Sequence, residues 1–95
     1  MNNKIKAYLG FAIKSNGIVF GFDNLCETKK KIVLVVTDST INPKVHAKLQ
    51  ALCDFKKWKI IQINSNTLFE LLGRNCKVVG ITDNNLAKAI MDNIN

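Results

Sequence analysis

The chain has 95 residues, and its 14 lysine and arginine residues against seven aspartate and glutamate residues give a net charge of +7. Hydrophobic residues make up 47% of the sequence and charged residues 22%, which is typical of a globular protein and excludes a disordered or collagen-like chain. The length predicts a single domain over residues 1–95, and no apolar run approaches the roughly 18–20 residues that cross a bilayer.

The N-terminal half alternates predicted helices and strands. Apolar residues recur at helical spacing over Ile5–Ile13 and predict a first helix, which Gly17 is expected to end in the left-handed conformation. Ile18–Phe20 is predicted to form a short strand, and a brief helix over about Asp23–Lys30 follows it. Ile32–Val36 is a run of five apolar residues, four of them β-branched, which is typical of a strand covered on both faces.

The C-terminal half continues the alternation. Asn42-Pro43 is a strong helix start, with an N-cap residue before a proline at the first helical position. Trp58–Ile63 is predicted to be the next strand, and a short helix with capping-box spacing lies within residues 65–73. Lys77–Ile81 predicts a fourth strand, and Asp83 or the residue before it caps a final helix. This order predicts an α/β protein, a three-layer αβα sandwich around a four-stranded mixed sheet.

The cysteines and the N terminus predict a cytoplasmic protein. Cys26, Cys53 and Cys76 are far apart and odd in number, and the chain has one histidine, so we expect free thiols and no metal site. Cys53 falls on the same helical face as Leu49, so it is expected to be buried. The apolar stretch near the N terminus is broken by Lys14 and does not resemble a signal peptide. We expect a monomer without cofactor or membrane association.

Residues that could support catalysis are few. The sequence contains no G-x-S-x-G, no glycine-rich phosphate loop and no H-E-x-x-H. His46 is expected on the solvent side of its helix, where the sequence places no nucleophile beside it. Asp38 ends the buried strand at the sheet edge where α/β proteins commonly bind ligands, although its neighbours Ser39 and Thr40 favour a turn. We therefore do not expect an enzyme.

Two lysine clusters, Lys29–Lys31 and Lys56–Lys59, each follow a predicted helix. Lysines at a helix C terminus offset its partial negative charge, and the same lysines can bind the phosphates of a nucleic acid. Thirteen of the fourteen basic residues are lysines, which favours phosphate contact over bidentate reading of bases. Trp58, inside the second cluster, either covers the edge of the sheet or stacks on a base.

The ordered set of segments resembles the family of small ribosomal kink-turn-binding proteins, which includes archaeal and eukaryotic large-subunit proteins and the bacterial YlxQ-like and YbxF-like proteins. The resemblance covers residues 4–94. It rests mainly on Leu9–Gly21, Ile32–Asp38, Leu68–Arg74, Val78–Asp83 and Leu86–Ile90. It implies a ribonucleoprotein component that binds RNA at one edge of the sandwich, through the turn after the first strand, the start of the second helix and the loop before the last strand.

On this resemblance we expect an RNA-binding surface formed by Gly21, Phe22, Asp23, Asn24, Lys29, Lys30, Lys31 and Arg74. The sequence departs from the family's pattern at Phe22, Asp23, Asn24 and Glu27, so the resemblance does not extend to kink-turn specificity. Glu27, for example, would repel phosphate where the family has a basic residue. We expect the partner to be ribosomal or other structured RNA. The alternative is a protein-interaction module on the same fold, anchored by an exposed Phe22.

Overall fold

The computed structural model describes residues 3–63 and 76–93. Its elements are α1 (Asn3–Lys14), β1 (Ile18–Phe20), α2 (Phe22–Glu27), β2 (Leu34–Asp38), α3 (Pro43–Lys56), β3 (Lys59–Ile63), β4 (Val78–Ile81) and α4 (Asn84–Asp92). The helix predicted within residues 65–73 lies outside the described residues. None of the helices in the described ranges is long and apolar enough to cross a membrane.

The four strands form one mixed sheet in the order β1-β4-β2-β3. β2 runs parallel to β3 and antiparallel to β4, and β4 runs antiparallel to β1. The apolar run therefore lies in the interior of the sheet, between β4 and β3, as its sequence predicts. Its strand spans Leu34–Asp38, so it begins and ends two residues later than the predicted run.

A hydrophobic core lies on each face of the sheet, which confirms the three-layer αβα sandwich. On one face, α1 and α4 pack against the side chains of Leu34, Val36, Val79 and Ile81. On the other face, α2 and α3 pack against Val19, Val35 and Val78. We call these the α1/α4 core and the α2/α3 core. Consecutive strand residues point to opposite faces, so each interior strand contributes to both cores.

The caps of α3 follow from its sequence. The side chain of Asn42 accepts a hydrogen bond of 2.8 Å from the backbone N–H of Lys44, and Pro43 occupies the first helical position, as predicted. Leu49 and Cys53 are fully buried, and Cys53 is a free thiol, which confirms the expectation for this residue. At the other end Lys57 adopts a left-handed conformation, with φ 61°, and its N–H bonds to the carbonyl of Cys53.

The end of α1 differs from the prediction. Asn16, with φ 58°, is the left-handed residue, and Gly17 is needed for another reason. A Cβ at Gly17 would lie 3.1 Å from the hydroxyl oxygen of Thr82, so the glycine allows a close approach between two chain segments. Ile13 is also wrongly assigned to the buried face, since it is 42% exposed. At about 100° per residue it lies at the margin of the helical face that contains Leu9.

The helix α2 is shorter than predicted, because it ends at Glu27 instead of Lys30. Thr28 has an extended backbone, with φ −65° and ψ 141°, and its hydroxyl accepts a hydrogen bond of 3.1 Å from the N–H of Lys30. This local bond offers the backbone an alternative to the next helical turn. The Lys29–Lys31 cluster consequently belongs to the irregular segment that leads into β2.

Candidate nucleic-acid interface

The turn from β1 into α2 is built around Gly21, and we call residues 21–24 the Gly21 turn. Gly21 has φ 86° and ψ 155°, a conformation essentially restricted to glycine. Its N–H donates to the carbonyl of Val78 (3.0 Å), and its carbonyl accepts from the N–H of Leu25 (3.1 Å). The side-chain amide of Asn24 donates to the carbonyl of Phe20 (2.7 Å). The strand therefore passes into the helix without an intervening loop.

The side chains of the Gly21 turn differ in exposure. Phe22 is half-buried and packs against the α2/α3 core, so the expectation that it is an exposed anchor is wrong. The aromatic ring covers the end of the core because α2 begins at this residue. Asp23 and Asn24 are exposed, and an N–H of the Asn24 amide already binds Phe20. The turn therefore offers mainly hydrogen-bond acceptors, which suit base N–H groups better than phosphates.

Asp38 lies at the same end of the sheet as the Gly21 turn and is fully buried. Its carboxylate accepts hydrogen bonds from the backbone N–H (2.9 Å) and the hydroxyl (2.7 Å) of Thr40. The Lys77 ammonium donates to the same hydroxyl oxygen at 2.6 Å. The hydrogen bond from the Thr40 N–H to the Asp38 side chain, two residues earlier, forms an Asx turn. The prediction of a turn at Asp38 is therefore confirmed.

The Lys29–Lys31 cluster lies at the opposite end of the sheet from the Gly21 turn. The Lys30 ammonium donates to the carbonyl of Asn16 at 2.8 Å. Asn16 precedes the first residue of β1, whereas Gly21 follows the last residue of β1. Val33 N–H donates to the carbonyl of Ile81 (2.8 Å), the last residue of β4. β1 has three residues, and at about 3.3 Å each they separate the two ends by roughly 10 Å. The structure therefore does not bring these two predicted parts of the site together.

The two lysine clusters lie at the same end of the sheet. Lys59, the first residue of β3, pairs in parallel register with Leu34, the first residue of β2, so the segments preceding both strands emerge at the same end of the sheet. These segments carry six exposed lysines: Lys29, Lys30, Lys31, Lys56, Lys57 and Lys59. We call this group the basic end. Its lysines come from two segments that are far apart in the sequence.

The basic end has an excess of positive charge over its surroundings. Glu27 and Asp54 are the acidic residues nearest to the clusters in the sequence, and Asp54 accepts a hydrogen bond of 3.1 Å from the Gln50 side chain. The C termini of α1, α2 and α3 point to this end, each with a partial charge of about −0.5. Asp83 also lies at this end, because it follows β4, and Lys14 ends α1 there. Three carboxylates and three helix ends offset about 4.5 of seven lysine charges, so a positive excess remains.

Two aromatic residues adjoin the second cluster. Trp58 is half-buried and packs against the α2/α3 core, which agrees with a covering role. Phe55 is 80% exposed, and the Lys56 ammonium lies 5.9 Å from the centre of its ring. Sequence reasoning missed Phe55, although the helical period contains the signal. Two residues beyond the buried Cys53, it lies about 200° around α3 and must face solvent.

Arg74 lies outside the described residues, as does most of the predicted loop before β4. The described chain resumes at Cys76, whose thiol donates to the carbonyl of Val78 at 2.9 Å. Because Gly21 N–H also bonds to this carbonyl, the chain enters β4 beside the Gly21 turn. His46 is half-buried. Among residues 3–63 and 76–93, no three His, Cys, Asp or Glu side chains group together as metal ligands would.

The sequence matches no protein-family model and no curated protein. The fold is similar to that of a solved structure described as a protein with unknown function from Bacillus halodurans. The TM-score is 0.82 at 17% sequence identity, and the match covers 96% of each chain. At this identity the similarity establishes the fold alone, an αβα sandwich over nearly the whole length of both chains.

Proposed function

We propose that the protein binds structured RNA, with the basic end contacting phosphates. The observation that carries the proposal is the convergence of Lys29–Lys31 and Lys56–Lys59 at one end of the sheet. Lysines that neutralise phosphates release condensed counterions, and this release supplies much of the affinity of proteins for nucleic acids. The resemblance to kink-turn-binding proteins supports RNA as the polyanion.

The Gly21 turn is the second contact in this proposal. Its exposed Asp23 carboxylate accepts hydrogen bonds and so suits the N–H groups of guanine. The Gly21 turn lies roughly 10 Å, the length of β1, from the end of the sheet that carries the lysines. Lys56–Lys59 also lie beside β3, three strands away from β1, so an RNA that contacts both surfaces has to extend over several nucleotides. Such an RNA could reach both surfaces, with phosphates at the basic end and a base edge at the turn.

A protein-interaction role is the second candidate. The residue expected to anchor such an interface, Phe22, packs against the α2/α3 core and offers only part of its ring to a partner. A cluster of six lysines is also unlike the centre of a protein interface, where lysine is depleted. RNA binding is therefore the function that the described surface supports best.

The test compares two triple variants with a control that removes the same charge elsewhere. K29A/K30A/K31A and K56A/K57A/K59A each remove half of the basic end. K44A/K48A/K88A removes three exposed lysines outside the basic end, two from the first half of α3 and one from α4. Binding to a folded RNA hairpin with an internal loop is measured at several salt concentrations, with circular dichroism as a check on folding.

We expect each basic-end triple to reduce the slope of log K against log salt concentration by roughly 2–3, at about 0.7–0.9 for each lost phosphate contact. The control triple should change the slope by less than the value expected for one lost phosphate contact. Equal changes in all three variants would mean attraction by net charge without a defined surface. An unchanged slope in both basic-end variants would remove RNA from this end of the protein.

A further inference from the structure

We propose that Phe55 is a stacking surface for an unpaired base, so that the RNA bound at the basic end carries a single-stranded nucleotide there. This inference rests on the proposed RNA binding and adds to it the class of RNA recognised. It assigns a role to a residue that lies outside the Gly21 turn and both lysine clusters.

The exposure of Phe55 is the first observation. The side chain is 80% exposed, against 57% for Phe11, the next most exposed large apolar side chain in the described part of the chain. Leaving a phenylalanine in water forgoes about 1.5–3 kcal/mol of burial. Single exposed apolar residues are common on protein surfaces, so the setting of this ring decides its interpretation.

The backbone beneath Phe55 is well defined. The residue lies in the last turn of α3, and the N–H groups of both Lys57 and Trp58 bond to the carbonyl of Cys53. Trp58 packs against the α2/α3 core, and Cys53 is fully buried. The ring therefore projects from an anchored helix end, and its presentation to a ligand needs little ordering of the chain.

The charge around Phe55 identifies the kind of ligand. Lys56 lies 5.9 Å from the ring centre, and Lys57 and Lys59 follow within four residues. An aromatic ring flanked by cations is the combination that binds single-stranded nucleic acid, since a base stacks on the ring while its neighbouring phosphates contact the lysines. An apolar protein surface would instead have to desolvate the Lys56 ammonium to reach this ring.

Phe11 provides a matched control on the other side of the sheet. It projects from α1, which packs on the α1/α4 core, whereas α3 packs on the opposite face. Phe11 borders an open depression of about 390 Å³ that is also lined by Lys6 and Lys14. F11A thus removes an exposed phenylalanine with lysines nearby, on the opposite face of the sheet from Phe55.

The test uses two RNA probes, a fully paired hairpin stem and the same hairpin with a short oligoadenosine tail. Binding is measured for the wild type, F55A, F55W, F55L and F11A. We expect F55A to weaken binding of the tailed probe by about fivefold to 150-fold, from a stacking contribution of about 1–3 kcal/mol per base. Binding of the paired stem and the salt slope should not change. F55W and F11A should bind the tailed probe as the wild type does. F55L should bind it as weakly as F55A.

The outcomes separate this inference from the proposed function. If the wild type binds neither probe, RNA binding fails and the stacking role fails with it. If the wild type binds both probes and F55A binds them as tightly, the stacking role alone is wrong. Full retention of tailed binding by F55L would also overturn it, because leucine is apolar but cannot stack, and would mean that an apolar contact is sufficient to hold the tail.

Discussion

Two glycines with equally open surroundings differ only in the backbone they require. A Cβ built at Gly10 or at Gly21 would meet no other atom within 4 Å. Gly10 lies within α1, where the backbone suits any L residue, while Gly21 has φ 86°. The pair therefore separates backbone strain from steric clash at the turn that joins β1 to α2.

We expect G21A to lower the free energy of unfolding by about 1–3 kcal/mol, the usual cost of a non-glycine residue in this conformation. G10A should raise it by about 0.5–1 kcal/mol, because alanine restricts the unfolded chain and favours the helix. Urea denaturation of both variants measures the two changes. A loss of similar size in both would show that the surroundings, not the torsion, determine the effect at Gly21.

The carboxylate of Asp23 and the amide of Asn24 determine which hydrogen bonds the Gly21 turn can offer to a ligand. Asn24 uses a side-chain N–H to hold the carbonyl of Phe20, so this amide stabilises the junction of strand and helix. Asp23 can only accept hydrogen bonds while ionised. Base recognition at this turn would therefore favour donor groups on the RNA.

At the scale of elements, the position of α2 depends on a missing side chain in β4. A Cβ at Gly80 would lie 2.5 Å from Cδ2 of Leu25 and 3.1 Å from Cδ1 of Ile32. Both side chains are buried, and they precede and follow the Lys29–Lys31 cluster along the chain. Gly80 thus allows α2 to lie close to the sheet, which in turn positions the Gly21 turn and part of the basic end.

We expect G80A to lower the free energy of unfolding by about 1–3 kcal/mol, the usual cost of overpacking a core. L25V removes the side-chain end that the new methyl group would meet. The double variant G80A/L25V should therefore lose less free energy of unfolding than the sum of the losses in the two single variants. We expect the difference to be at least about 0.5 kcal/mol. Additive losses in chemical denaturation would mean that this contact does not hold α2 against the sheet.

At the scale of the whole molecule, charge is distributed unevenly between the two ends of the sheet. The basic end carries the six exposed lysines that lie before β2 and at the start of β3. The opposite end carries the carboxylates of Asp23 and Asp38 against the ammonium groups of Lys44 and Lys77. A polyanion approaching the protein is therefore attracted and oriented toward the basic end.

Global stability should depend on pH through Cys53 above neutral pH. Burial, with a smaller contribution from the charge of Asp54, raises the pKa of the Cys53 thiol to about 11. The unfolded thiol has a pKa of about 8.5. Because the folded-state pKa is the higher one, the contribution to stability is complete below the unfolded pKa and is lost as the pH rises toward the folded pKa.

We expect the free energy of unfolding of the wild type to fall by about 2 kcal/mol more than that of C53A between pH 8 and pH 10.5, at a limiting slope of about 1.4 kcal/mol per pH unit. The two proteins share every titratable group except Cys53, so the difference between their pH profiles isolates this thiol. Parallel pH profiles would contradict the raised pKa. Native-state alkylation gives an independent check, in which the exposed Cys26 should react well before Cys53.

The sequence by itself determined the order of the described elements, the interior position of β2 and the burial of Cys53. These features depend on local patterns, since a β-branched apolar run and a helical stripe identify buried faces whatever the rest of the chain does. The left-handed conformation of Asn16 and the early end of α2 could not be predicted from the sequence. Both depend on local hydrogen bonds that are close in energy to those of the predicted conformations. The helical period also contained the exposure of Phe55.

Only the tertiary structure decided which surfaces meet. The parallel register of Leu34 with Lys59 brings two distant lysine clusters to one end, and the antiparallel pairing of β1 with β4 brings the chain at Val78 beside Gly21. The same arrangement separates Lys29–Lys31 from the Gly21 turn, although they are close in the sequence. Strand order and direction arise from the packing of both cores at once, and local periodicity contains no information about them.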